Sequence, residues 1–124
     1  MKELEETIGG IMQEMRRGTI VIGVLSLLHE PQYGYSLVSM LEEKGIAVDP
    51  GTLYPLLRRL EKQQLLESQW DTNDTRPRKY YLLSPFGKEV YRQLCMEWKK
   101  LSDSMDRLIG LEEGTEDGYS DRNA

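Results

Sequence analysis

One cysteine and one histidine, Cys95 and His29, are the only thiol and imidazole in the 124 residues. That scarcity excludes an intramolecular disulfide and the usual His/Cys zinc cluster. Long apolar runs are missing too, since no stretch approaches the roughly 18 residues that a membrane-crossing helix needs. The N-terminal segment carries Glu3, Glu5 and Glu6 where a secretory leader would be basic, so a cytoplasmic protein is expected. No phosphate-binding glycine loop, dinucleotide fingerprint or nucleophile-base motif is present, and neither catalysis nor a cofactor finds support. A chain this short makes one domain, which should bury roughly two thirds of its unfolded surface.

Positive charge is also in short supply: 16 Lys and Arg stand against 21 Asp and Glu, a net charge of −5. Its location matters more than its size. Glu112, Glu113, Glu116, Asp117 and Asp121, against Arg122 alone, put −4 of this total from Gly110 onward. That polar, Gly-containing end reads as a disordered acidic tail over 110–124. The remainder is nearly neutral, so a local basic patch there can still hold phosphate.

Five helical stretches and one hairpin follow from periodicity. Leu4, Ile8, Ile11 and Met15 form an apolar seam on an N-terminal helix over 1–17, weakened in its middle by Gly9-Gly10. Gly18 to Leu28 is a dense apolar core helix stopped by Pro31, with His29 in a C-terminal capping role. Ser36 to Lys44 is the next, with Gly45 as its C-terminal cap, and Ile46-Ala47-Val48 reads as a short strand. Leu53, Leu56, Leu57 and Leu60 then share one buried stripe and leave Thr52, Tyr54, Pro55, Arg58 and Lys62 outside. A proline deep in a helix costs about 3 kcal/mol, so Pro55 argues for Thr52 over Asp49 as the N-cap.

Leu66 to Trp70 and Arg78 to Ser84 alternate as two strands joined by the polar run Asp71 to Thr75. Ser84 can cap a last helix beginning at Pro85 and running to about Ile109. On it Tyr91, Leu94, Trp98, Leu101, Met105 and Leu108 repeat at the spacing of a helix-pairing seam. A dimerisation helix is expected, with the N-terminal seam packed across it; an ordinary core-facing helix is the alternative. Cys95 has Arg92 and Lys99 one turn away on either side, yet a buried inert thiol is the simpler reading.

The resulting fold class is mainly α with a small β-hairpin (α+β). Its order is that of a winged helix-turn-helix over 18–84, followed by a C-terminal helix over 85–109. Thr52 and Tyr54 can donate to phosphate oxygens or base edges, and Arg58, one turn on, can reach guanine or phosphate. Arg76, Arg78 and Lys79 charge the wing. A winged-helix interaction module, whose basic wing binds an acidic partner without touching DNA, is the competing reading.

Tyr33-Gly34-Tyr35, Gly51-Thr52-Leu53-Tyr54-Pro55 with Arg59-Leu60-Glu61, Arg78-Lys79-Tyr80-Tyr81 with Leu83, and Gly87 together resemble the PadR-like transcriptional regulators, in their small subfamily with a single C-terminal helix. The resemblance spans about residues 18–104. It implies a homodimer that binds a double-stranded inverted-repeat operator, usually as a repressor. Carried onto matching positions, it gives DNA-binding roles to Tyr35, Gly51, Thr52, Tyr54, Pro55 and Arg58, with Arg76, Arg78 and Lys79 in the wing. It leaves Arg59 and Glu61 as structural candidates. Some small family members hold planar aromatic effectors between tryptophans at the dimer interface. Trp98 falls where that tryptophan is expected, with Met12 and Met15 as further candidates to line the cavity.

Overall fold

A computed structural model describes residues 1–73 and 75–110; the expected tail, from residue 111 on, lies outside the described residues. The order is α1 (Lys2–Ser26), β1 (Gln32–Tyr33), α2 (Gly34–Glu43), α3 (Pro50–Lys62), β2 (Leu66–Asp71), β3 (Arg78–Leu83) and α4 (Pro85–Ile109). The chain divides into a compact unit, Met1–Tyr91, and a second beginning at Arg92. As expected, it is mainly α with a small antiparallel sheet.

The two stretches anticipated on either side of Gly18 are one helix, so the described residues form four α-helices where five were expected. A glycine inside a helix costs about 1 kcal/mol relative to alanine but keeps its N–H and C=O, so the hydrogen-bond ladder continues through it. Gly9, Gly10 and Gly18 all sit this way, with open space where a Cβ would be.

The sheet has three strands in the order β1-β3-β2, one more than a hairpin. Gln32 faces Tyr81 and Tyr33 faces Tyr80, so the start of the Tyr-Gly-Tyr run is itself a strand. Ile46-Ala47-Val48 is not one. The Ile46 N–H instead bonds the Leu41 carbonyl at 2.9 Å and closes α2 together with Gly45, whose φ of 91° only glycine adopts freely. With its donor spent on the helix end, Ile46 cannot begin a ladder.

Helix α3 also begins earlier than expected. Asp49, not Thr52, is its N-cap: Asp49 Oδ1 accepts the Thr52 N–H at 2.9 Å, and Pro50 takes the first helical position, where no N–H is required. Pro55 therefore lies inside the helix. The bond it cannot make belongs to the carbonyl of Gly51, an exposed residue where water can replace it.

The core sits where α1, α2 and α3 meet the sheet. Val24, Leu25, Leu28, Leu37, Leu41, Leu53, Leu57 and Leu60 are fully buried, each leucine stabilising the fold by roughly 1.5–3 kcal/mol. The Leu83 N–H, bonded to the Leu28 carbonyl at 2.8 Å, ties β3 to the chain just beyond α1. His29 does not cap that end. The helix closes at Leu27, and the imidazole meets the Tyr91 ring edge-on at 5.1 Å.

Around Leu65 three elements converge. Its N–H bonds the Leu60 carbonyl after Gln64 turns the chain at a φ of 68°, and its own carbonyl accepts the Ser84 N–H at 3.0 Å. Ser84 Oγ, as expected of a cap, accepts the Gly87 N–H at 2.9 Å. A Cβ on Gly87 would stand 2.0 Å from the Leu65 carbonyl oxygen. Gly87→Ala should therefore lower the melting temperature sharply or abolish soluble expression. Gly10→Ala, a mid-helix change in open space, should stabilise α1 by about 1 kcal/mol; thermal denaturation followed by circular dichroism checks both.

Candidate nucleic-acid interface

The exposed face of α3 carries Gly51, Thr52, Pro55, Arg58, Arg59 and Lys62, because the four leucines turn the opposite face into the core. Arg58, Arg59 and Lys62 make no ion pair among the described residues. Together with Pro55, Glu61 and Lys79 they line an open groove of about 590 Å³. Tyr54 is half-buried, and a Cβ on Gly34 would come within 2.7 Å of its ring. The glycine of the Tyr-Gly-Tyr run thus lets α2 and α3 approach through Tyr54. Thr52 is turned toward its own cap, its hydroxyl 3.4 Å from Asp49 Oδ2.

Two wing cations are held by partners within the chain. Lys79 Nζ lies 3.3 Å from Glu61 Oε1 and 5.3 Å from the Tyr81 ring centre. Glu61 also accepts the Ser68 hydroxyl. One carboxylate on α3 thus meets both strands of the hairpin, which fits the structural candidacy of Glu61. Arg59 is exposed and shows no such link.

Arg78 occupies an aromatic seat. Its guanidinium carbon lies 4.5 Å from the centre of the Tyr33 ring, and Nη1 donates to the Tyr35 hydroxyl at 3.1 Å. The Tyr33 and Tyr35 rings stack 5.7 Å apart, and the Tyr33 hydroxyl donates to Asp71 Oδ2 at 2.6 Å. Only Arg76 of the three predicted wing cations is fully exposed without an ion pair among the described residues. The sequence alone does not single out Tyr33 or Asp71 for this region; a two-residue strand is too short to show an alternation.

The remaining predicted residues are apolar. On α1, Leu4, Ile8, Ile11 and Met15 are exposed and Met12 is half-buried. On α4, Tyr91, Leu94 and Cys95 are half-buried, whereas Trp98, Leu101, Met105 and Leu108 are exposed, Trp98 by 45% and Leu108 by 73%. Among the described residues no group of acidic, His or Cys side chains could hold a metal ion, and no helix is long and apolar enough to cross a membrane.

A sequence model described as the transcriptional regulator PadR-like family matches residues 23–93. The chain belongs to this family. It is similar to the PadR family transcriptional regulator of Eggerthella lenta, whose crystal structure superimposes with a TM-score of 0.82 at 43% identity over 92% of this chain and 100% of that one. It is 36% identical to the transcriptional regulator Rv3488 of Mycobacterium tuberculosis over 78 residues, 62% of this chain and 73% of the relative. Bacillus subtilis PadR in complex with operator DNA shares the fold, with a TM-score of 0.58 at 21% identity over 62% of this chain and 45% of that one. The sheet and helices described above are thus the winged helix of PadR-family regulators, a family of transcriptional regulators and not of enzymes.

Several of the PadR-like motif residues have plain packing roles here. Gly34 admits Tyr54, Gly87 admits the Leu65 carbonyl, Tyr81 and Leu83 are buried, and Glu61 bridges α3 to the hairpin.

The aromatic seat has a defined pH window. The Tyr33 hydroxyl, and then the Asn73 N–H, hold the Asp71 carboxyl below the ordinary aspartate range. The same hydrogen bond, then burial, raises the Tyr33 phenol. Asp71's contribution is therefore present above its unfolded pKa of about 3.9 and lost as pH falls through the lower folded value. That of Tyr33 is present below about pH 10 and lost as pH rises through the higher folded value. The difference in melting temperature between the protein and Tyr33→Phe should be constant from about pH 5 to 9 and shrink outside that window.

Proposed function

We propose that this PadR-family protein is a homodimeric, DNA-binding repressor located in the cytoplasm, with α3 as its recognition helix and β2–β3 as its wing. The observation that carries this reading is the cationic face of α3. Arg58, Arg59 and Lys62 are exposed with no ion pair among the described residues, on a chain whose negative charge is concentrated from Gly110 onward. Such a face attracts phosphate, and an arginine on a groove-entering helix reads guanine. The shared fold of Bacillus subtilis PadR, solved in complex with operator DNA, supports DNA as the partner. Tyr35, Gly51, Thr52, Tyr54, Pro55, Arg58 and Arg76 are the residues assigned to DNA, together with Arg78 and Lys79 once they leave or share their internal partners.

The dimer reading rests on the exposed apolar seams of α1 and α4. Leu4, Ile8, Ile11 and Met15 on one, and Trp98, Leu101, Met105 and Leu108 on the other, stay in water on a single chain. A second copy removes that cost. Two recognition helices must then lie about 34 Å apart to enter successive major grooves of an inverted repeat. A planar aromatic effector stacking on Trp98, beside Met12 and Met15, would act by altering that spacing and relieving repression. The folded segments are assigned as a dimerising N-terminal helix over 1–17, a DNA-binding domain over 18–84 and a dimerising helix over 85–109.

Arg58→Ala should weaken binding to a duplex selected from a random pool by about tenfold, within the 1–3 kcal/mol of a good base contact, and leave the melting temperature unchanged. A salt-controlled gel shift measures it, and undiminished affinity would defeat the recognition-helix assignment. Binding that is steep in salt but indifferent to sequence would point instead to an adaptor. For the dimer, Leu101→Glu with Leu108→Glu should convert the sedimentation coefficient to that of a monomer. Planar aromatic cations should quench tryptophan emission in the protein but not in Trp98→Phe, where Trp70 is the remaining indole.

A further inference from the structure

Both oxygens of the Asp71 carboxylate are already engaged. Oδ2 accepts the Tyr33 hydroxyl at 2.6 Å and Oδ1 accepts the Asn73 N–H at 3.1 Å. Asp71 and Arg78 are register partners across β2 and β3, where opposite charges ordinarily pair, yet they make no ion pair. The Tyr33 hydroxyl thus holds Asp71 Oδ2 in a hydrogen bond, and the carboxylate acts on Arg78 through its field without a direct ion pair. The ring of Tyr33 seats the guanidinium.

The directions of the hydrogen bonds follow from donor chemistry. A guanidinium only donates, so in the Arg78 to Tyr35 contact the phenol oxygen is the acceptor and its own proton is free to be given elsewhere. Tyr35 is 53% exposed, so that proton can reach a ligand. Accepting from a cation also strengthens a hydroxyl as a donor. Arg78 Nε is shut away from water without a partner, and further N–H donors remain on the guanidinium nitrogens. A phenolic O–H and guanidinium N–H groups, anchored 3.1 Å apart, match two oxygens of one phosphate.

We propose that Arg78 and Tyr35 bind a single DNA backbone phosphate as one unit, and that Tyr33 and Asp71 are positioning residues that keep the guanidinium oriented and out of a direct ion pair. This rests on the DNA-binding reading above. The ring of Tyr33 fixes where the guanidinium sits, and its hydroxyl occupies the carboxylate that would otherwise claim it. Asp71 anchors the phenol in return, so an acid within the wing supports an anion site by being satisfied elsewhere.

The test is a rescue experiment on the full chain, with affinities for a pool-selected duplex measured across a salt series. Tyr33→Phe keeps the stacked ring but releases Asp71 Oδ2 to pair with Arg78. Affinity should fall by about tenfold, the weight of one charge-assisted hydrogen bond, and the salt slope should flatten by about one. Adding Asp71→Asn to Tyr33→Phe removes the competing charge and should restore most of both. Replacing backbone phosphates one at a time by uncharged methylphosphonates should identify one phosphate whose loss affects the wild type but neither Arg78→Gln nor Tyr33→Phe. A folded Tyr33→Phe with unchanged affinity, or a loss that Asp71→Asn does not rescue, overturns the proposal while an Arg58→Ala defect leaves the DNA reading standing. Silence of both Arg58→Ala and Arg78→Gln would defeat the DNA reading, and the phosphate site with it.

Discussion

The relation of α3 to the hairpin and to the start of α4 is set at the backbone of one residue, Leu65. The N–H of this residue finishes α3, its carbonyl receives the N–H of Ser84, and the backbone of Gly87 passes against it with no room for a side chain. Buried backbone N–H and C=O groups must be satisfied, and here the N–H turns back to α3 while the C=O reaches the residue between β3 and α4. The hairpin therefore leaves α3 at a fixed angle, and α4 begins from the same point. Glu61, bonded to Ser68 and Lys79, repeats that link one turn back along α3. Helix α3 and the hairpin are tied into one piece for these reasons, not because of the turn sequence alone.

Rigidity of this kind changes what the basic residues of the wing mean. A lysine or arginine free in solvent contributes charge but no orientation, and loses side-chain entropy when it is caught by a ligand. Lys79 and Arg78 have already undergone much of that ordering, one on a carboxylate and the other on an aromatic face. Arg58, Arg59, Lys62 and Arg76 have not. The candidate interface thus combines pre-set cations on the hairpin with adaptable ones on the helix face and in the β2–β3 connection, a division that a count of basic residues cannot reveal.

Long periodic elements were legible in the residues alone: the leucine stripe of α3, the β2–β3 pair, the Ser84 cap and the extent of α4. Where reading failed, two local rules competed. Pro55 argues against an early helix start, and the gain from the Asp49 cap and Pro50 at the first helical position outweighs it. The composition change at Gly18 suggests two helices, although glycine weakens a helix without interrupting its ladder. Strand β1 has two residues and is defined by Tyr80 and Tyr81, almost fifty positions away, so nothing local announces it. Of the candidate interface, the residue identities were visible. The pairing of Glu61 with Lys79, and of Tyr33 with Asp71, depends on long-range register and was not.

The unbroken course of α1 has a mechanical consequence. At 1.5 Å per residue its 25 residues make a rod of about 37 Å, held at one end by buried Ile20, Val24 and Leu25 and exposed through most of the rest. Gly23 lies within that held end, where Leu41 and Ile46 would be in contact with any Cβ placed on it. A rod clamped at one end is a lever: a small tilt at the clamp is a much larger sweep at the tip, and a load on the tip arrives at α2 as torque.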